Sequence, residues 1–251
     1  MTIVSIVTPL YNSEKYIEET IKSVIQQSYM DWELIIIDDN SNDNSVEIVE
    51  KYIKDDDRIT LIKLSQNSGA AIARNTGINK SKGKYLCFLD ADDIWSKEKL
   101  EVQIDFMSKY NLAFSYGDYK IIDDNGNYQG QFIAKESITF SDLCITCDIG
   151  CLSVMIDTKK IKEIVMPIIP KEDYAMWLSI LKDNNIMAYK YKGVYCSYRV
   201  LKNSLSSNKY KEIFKQYNVL LKIADLSRLK SFYCILLYIF YGLKKHFIYY
   251  K

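Results

Sequence analysis

The sequence predicts an α/β protein with a mostly parallel central sheet flanked by helices, and three observations carry that expectation. Short β-branched runs alternate with segments whose apolar residues recur at helical spacing through residues 1–110. Two of those runs stop abruptly on acids, at Ile37-Asp38-Asp39-Asn40 and at Leu89-Asp90-Ala91-Asp92-Asp93. At 251 residues and 48% hydrophobic content, the chain can bury a full core. Because crossovers between parallel strands are right-handed, successive strand C-termini lie on one rim, so Asp39 and Asp90 are expected to converge where open α/β sheets bind ligands.

Residues 3–8 form a run dominated by β-branched residues, as in a strand buried on both faces. The helix that follows places Ile17, Ile21, Val24 and Ile25 on one face, with Asn12 or Ser13 as its cap. Residues 33–37 are the second strand, and Asn42 or Asp43 caps the helix carrying Val46, Val49 and Ile53. Residues 59–64 are the third strand. The small residues at 70–77 then predict a closely packed helix. Residues 86–89 are the next strand, and Ile94-Trp95 before Ser96 reads as the start of a helix, which puts the acids on a strand-to-helix loop. Further on, residues 112–122 and 128–133 flank Asn125-Gly126 as a hairpin. A short helix is expected at 141–143, a strand at 150–156 and a lysine-rich helix around Ile161. The segment from Pro170 opens a helix with Glu172 and Asp173 in its first turn and Trp177, Ile180 and Leu181 on its apolar side. Residues 195–199 read as a strand, 201–207 as a polar loop and 209–251 as a helical tail.

Charge excludes one class of partner. The 33 Lys and Arg nearly balance 32 Asp and Glu, so no polyanion-binding signature exists and no nucleic-acid partner is expected. The first residues lack the basic and small-residue features of a signal peptide, and the six cysteines show one close pair, Cys144-x-x-Cys147, with one histidine in the chain, His246. A reduced, cytoplasmic protein without a zinc site is the expectation. At 90–93, three carboxylates repel one another unless solvent or a cation neutralises them, and such oxygen-rich clusters suit Mg²⁺ or Mn²⁺. Taken by itself, Asp90-Ala91-Asp92 reads as a solvated acidic turn sooner than as a metal site.

Four ordered motifs narrow the choice: residues 7–12 (VTPLYN), residues 32–41 (WELIIIDDNS), Asn67-x-Gly69 with Ala73-Arg74-Asn75-x-Gly77, and Asp90-Ala91-Asp92-Asp93. Together they resemble the inverting family-2 glycosyltransferases of the GT-A fold, of the type that builds bacterial surface polysaccharides. The resemblance runs on to about residue 205 through Lys171-Glu172-Asp173-Tyr174 and Tyr198-Arg199. It implies a Rossmann-like nucleotide half at 1–110, an acceptor half at 111–205 and a helical extension at 206–251. The implied donor is a nucleotide-diphosphate sugar, a UDP-hexose or UDP-N-acetylhexosamine, and the implied acceptor a glycan or lipid-linked glycan.

On that likeness Asp39 accepts the uracil N3 proton, which suits a carboxylate, while Asp38 is either a cap or a loop-holding acid. Thr8, Pro9 and Tyr11 follow the first strand near base and ribose, and Asn67 belongs to the adjoining motif. Arg74 either meets the phosphates with its planar fork or is a surface helix arginine. Asp90, with Ala91, holds ribose or sugar hydroxyls, Asp92 ligates Mn²⁺ or Mg²⁺, and Asp93 is a helix cap. Asp173 matches the general base of the Glu172-Asp173 pair; acids in a first helical turn are otherwise dipole partners. Arg199, Ser204 and Ser206 match a segment that closes over the diphosphate, although Lys202-Asn203 stand where many relatives carry a histidine.

In the tail, residues 231–251 combine aromatics with lysines, so an interfacial helix on an anionic leaflet and a helix packed on this domain or on a second copy both remain open. The rival function is a non-catalytic nucleotide- or glycan-binding module that kept the fold. A dinucleotide oxidoreductase is weaker, since no glycine-rich turn follows the first strand.

Overall fold

The computed structural model describes residues 4–201 and 209–249. The loop positions Lys202, Asn203, Ser204 and Ser206, and the expected boundary at 205, lie outside the described residues. In chain order the strands are β1 (Val4–Leu10), β2 (Trp32–Asp38), β3 (Ile59–Lys63), β4 (Tyr85–Phe88), β5 (Ile94–Trp95), β6 (Phe114–Ile122), β7 (Tyr128–Phe132), β8 (Ser137–Ile138), β9 (Met155–Asp157) and β10 (Ala188–Arg199). The helices are α1 (Ile17–Ile25), α2 (Ser45–Asp55), α3 (Ala70–Lys80), α4 (Lys99–Lys109), α5 (Phe140–Cys144), α6 (Glu172–Asp183), α7 (Lys209–Lys222) and α8 (Arg228–Tyr249).

All the strands join one sheet in the order β3-β2-β1-β4-β9-β6-β10-β5, with β7 beside β6 and β8 beside β10. From β3 to β4 every pairing is parallel. The rest of the sheet is mixed: β9 is antiparallel to both β4 and β6, and β10 runs parallel to β6. Two apolar layers sandwich this sheet. Val4, Ile6 and Leu10 of β1 face Ile17, Ile21 and Val24 of α1, whereas Val7 faces the opposite core of α3 and α6, as the two-residue period of a strand requires. The small residues of α3 let it lie close on the sheet. A Cβ at Gly77 would come within 2.5 Å of Val7 Cγ1 and 2.7 Å of Ile37 Cδ1.

Several local expectations are corrected. Helix α1 starts at Ile17 with Tyr16 in the cap position, not Asn12 or Ser13. Asn12 instead adopts φ 47° and accepts the Asn42 N–H on Oδ1, tying the loops after β1 and β2 together. Asn44 occupies the cap position of α2, although Asp43 Oδ1 does accept the Ser45 N–H. Ile94-Trp95 is a short strand paired antiparallel to Cys196 and Ser197. Residues 151–153 form a 3₁₀ turn ahead of β9, and around Ile161 the chain is a turn rather than a helix. For Asn12 and for Ile94-Trp95 the deciding partner is remote in sequence, which periodicity cannot register.

Candidate active site

The ends of β1, β2 and β4 meet on one rim. Asp39 N–H donates to Leu10 O and Leu89 N–H to Val7 O, so the acids after β2 and β4 flank β1 on either side. Thr8 and Pro9 lie inside β1 and not on the loop after it, while Tyr11 is exposed just beyond the strand. The Thr8 hydroxyl is fully buried without a partner, an uncommon state for a polar group. Asp39 is buried and its two oxygens accept from Ser68 N (2.7 Å) and Gly69 N (2.8 Å). Gly69 sits at φ +88°, a conformation that favours glycine, and Asn67 Nδ2 donates to Asp39 O. Asp38 Oδ1 accepts the Ser41 N–H and so acts as a loop-holding acid. A carboxylate has lone pairs beyond two such bonds, so Asp39 retains acceptor capacity.

Helix α6 brings the second set of acids. Its apolar side anchors it: the Trp177 ring lies 5.9 Å from Phe88 of β4 and 5.3 Å from Phe114 of β6. Glu172 and Asp173, one turn earlier, are thereby held against the end of β4. Arg74 of α3 closes the arrangement. Its Nη2 donates to Asp90 Oδ1 and its Nη1 to Glu172 Oε1, both at 2.6 Å. The guanidinium is thus neither a surface group nor directed at open space; it ties the strand-end acids to the helix-start acids, and its Nε–H is buried unpartnered.

Arg199, expected beside the diphosphate, turns its guanidinium inward onto protein acceptors. It is 3% exposed and makes four bonds to protein: Nε to Asp92 O (2.9 Å), Nη1 to the carbonyls of Asp123 and Asp124, and Nη2 to Glu19 Oε2 (2.5 Å). Its backbone N–H donates to Asp93 Oδ1 at 2.9 Å. Asp93 is therefore a buried acceptor that pins the acid loop to β10, not a helix cap. From the other side Thr20 Oγ1 donates to Ala91 O and Asp93 O. This double anchoring leaves Asp90 and Asp92 as the acids of the loop that can face a ligand.

Residues 5–160 match the family model for glycosyl transferase family 2. The chain belongs to glycosyl transferase family 2. It is 43% identical over 249 residues, 99% of this chain and 97% of the relative, to the enzyme of Escherichia coli named UDP-Glc:alpha-D-GlcNAc-diphosphoundecaprenol beta-1,3-glucosyltransferase WfgD. It is 42% identical over 97% of both chains to the putative teichuronic acid biosynthesis glycosyltransferase TuaG of Bacillus subtilis. Among solved structures, S. aureus TarS 1-349 in complex with UDP-GlcNAc superposes with a TM-score of 0.70 at 23% identity, covering 98% of this chain and 72% of that one. The mannosyltransferase PcManGT of Pyrobaculum calidifontis, in complex with GDP-Man and Mn²⁺, superposes with a TM-score of 0.71 at 14% identity over 98% and 75%. Those likenesses show a GT-A fold. The protein is a glycosyltransferase, and a purely binding module is set aside.

For a family-2 glycosyltransferase the electrostatics of the rim are informative. Burial, and next the charge of Asp90, push the Asp92 carboxyl up to about 6. A divalent cation would relieve that crowding. Among the described residues no three ligating side chains converge on a point. Burial, and next the charge of Glu172, raise Asp173, whose Oδ1 accepts the Tyr174 N–H. Glu172 is bound to Arg74 through Oε1, so of the pair Asp173 is the carboxylate not tied to a cation by a hydrogen bond.

Sequence reasoning missed Glu19, Thr20, Cys151 and Lys171. Cys151 is buried, its thiol pushed well up by burial against the opposing pull of the Arg74 charge. Lys171 occupies the cap position of α6 at φ 61°, and its Nζ donates to Gln216 Oε1 of α7 at 2.8 Å. The left-handed conformation at Lys171 leaves no periodic signal in the sequence; only its place before two helix-start acids hints at a special turn.

Proposed function

We propose that this chain transfers a sugar from a UDP-sugar donor to a hydroxyl of a lipid-linked glycan during assembly of a cell-surface polysaccharide, at the cytoplasmic face of the membrane. In this reading residues 1–110 bind the donor, 111–205 the acceptor, and 206–251 form a helical extension. The observation that carries it is the Arg74 bridge, which brings the acid of the donor motif, Asp90, beside the acid pair Glu172-Asp173. The donor and acceptor classes are supported by the near full-length relative whose name specifies UDP-Glc and GlcNAc-diphosphoundecaprenol.

Asp39, Thr8, Pro9, Tyr11 and Asn67 surround uracil and ribose, and Asp90 with the Ala91 backbone takes ribose or sugar hydroxyls. Asp92 would hold Mn²⁺ or Mg²⁺, a cation that offsets the charge of the departing diphosphate. Asp173 removes the proton from the acceptor hydroxyl as that oxygen forms its bond to the anomeric carbon. The bond from that carbon to the diphosphate oxygen breaks on the opposite face, UDP carries away the electron pair, and the configuration inverts. A raised carboxyl pKa serves this step, because a more basic carboxylate takes the hydroxyl proton more readily. Glu172, paired to Arg74, keeps negative charge beside Asp173 and so maintains that basicity.

A thermal-shift panel of nucleotide sugars with and without Mn²⁺ tests the donor class, since a ligand stabilises according to its affinity and concentration. UDP-sugars are expected to raise Tm in a Mn²⁺-dependent way. Stabilisation by GDP- or CDP-sugars alone would contradict the uridine assignment.

A further inference from the structure

Helix α8 has two apolar faces. Ser231, Cys234 and Ile235 are buried against the domain, and Tyr238 on the same face lies with its ring 5.5 Å from Lys171 Nζ. On the reverse, Leu229, Phe232, Tyr233, Leu236 and Phe240 are half or more exposed, Leu229 to 85%. Their spacing is that of one helical stripe, and at 100° per residue Arg228 and Lys230 fall on its two edges. Five bulky apolar side chains clustered on one surface mark a contact site more strongly than scattered ones do.

We propose that this outward face of α8 docks on an anionic lipid leaflet. Charge selects the occupant. From residue 226 to residue 251 the sequence carries Arg228, Lys230, Lys244, Lys245 and Lys251 and no Asp or Glu. A second copy of the chain would bring one basic helix against another, whereas an anionic leaflet offers acyl chains for the stripe and negative headgroups for its edges. Depth is limited as well. Among the described residues no helix is long and apolar enough to cross a membrane, and the inward face of α8 is already committed to the protein, so the helix lies flat.

Docking in this pose has a consequence for the site. Lys171 immediately precedes Glu172 and Asp173, and its ammonium sits over Tyr238 of α8 while its bond to Gln216 engages α7. The helix that touches lipid is one side chain away from the turn that holds the acid pair, so a lipid-linked acceptor reaches Asp173 from the leaflet side. This consequence rests on the acceptor reading above; the docking does not.

The test is sedimentation of the full chain with vesicles of phosphatidylcholine alone and of phosphatidylcholine mixed with phosphatidylglycerol, at low and high salt. The protein is expected to sediment with the phosphatidylglycerol vesicles and to be released in part by salt. Phe232→Ser, Leu236→Ser and Phe240→Ser combined should lower that partition by about tenfold or more, with unchanged circular dichroism and unchanged UDP-sugar hydrolysis in solution. Absence of sedimentation by the unaltered protein, or unaltered sedimentation by the triple variant, overturns the proposal. So does conversion of a dimer to a monomer by the triple variant with vesicle binding untouched, which would assign the stripe to a second copy. Vesicle binding without any sugar transfer would instead strike the proposed function and leave the docking surface standing.

Discussion

At the scale of single residues, the acids of the rim differ in role because their neighbours differ. Asp93 is buried against a backbone N–H, Glu172 is paired with Arg74, and Asp173 is raised by burial and by Glu172. The proton acceptor must be ionised, so kcat should fall as pH drops through a value above the ordinary aspartate pKa of about 3.9. Glu172→Gln removes the neighbouring charge and should carry that acid limb to lower pH; a limb that stays in place in a pH–rate profile would remove Glu172 as the tuning group. Arg74 holds two carboxylates while itself 5% exposed. Arg74→Leu leaves both without their cation, and losing one partner of a buried ion network costs about 3–5 kcal/mol. Chemical denaturation should show a loss of that order together with loss of transfer. Donor binding and stability both unchanged would contradict the bridge.

The elements explain what could be seen in the sequence beforehand. Strands β1, β2 and β4 were legible because they are buried on both faces and read as unbroken β-branched or aromatic runs, and α3 because its small residues announce close packing. The acid motifs were legible as a set for the same reason: parallel strands deliver their ends to one rim. What depends on a remote partner was not. Ile94-Trp95 becomes a strand only because β10 lies beside it, and Arg199 has no local sign that its guanidinium turns inward to Asp92 O, Asp123 O and Glu19. Lys171 and Thr20 act across comparable separations. One element-level prediction concerns α6. Trp177 is fully buried between Phe88 and Phe114, and truncating a buried aromatic to alanine costs about 3–5 kcal/mol. Trp177→Ala should show that loss in a denaturant midpoint, and because the same ring seats the acid pair, residual protein should transfer slowly even where it remains folded. Trp177→Ala with wild-type kcat would detach the helix anchor from catalysis.

At the scale of the whole molecule, the parallel half and the mixed half share one sheet, and β9 is the seam that joins them. In the proposed function donor binding is assigned to the first half and proton removal to α6 of the second, so the two activities should separate experimentally. Chelation is expected to abolish transfer and Mn²⁺ or Mg²⁺ to restore it, because Arg74 pairs with Asp90 while burial and the charge of Asp90 still hold the Asp92 carboxyl up; transfer that persists in chelator would contradict a metal role for Asp92. The most direct measurement is transfer from a panel of UDP-sugars to a GlcNAc-diphosphate-lipid acceptor by the native enzyme and by Asp173→Asn, with UDP binding followed in the same samples. We predict that the native enzyme forms a β-linked product with one UDP-sugar, and that Asp173→Asn binds UDP equally while its turnover falls by about a hundredfold to ten-thousandfold. Undiminished transfer by Asp173→Asn, or no transfer by the native enzyme from any UDP-sugar, would contradict the account.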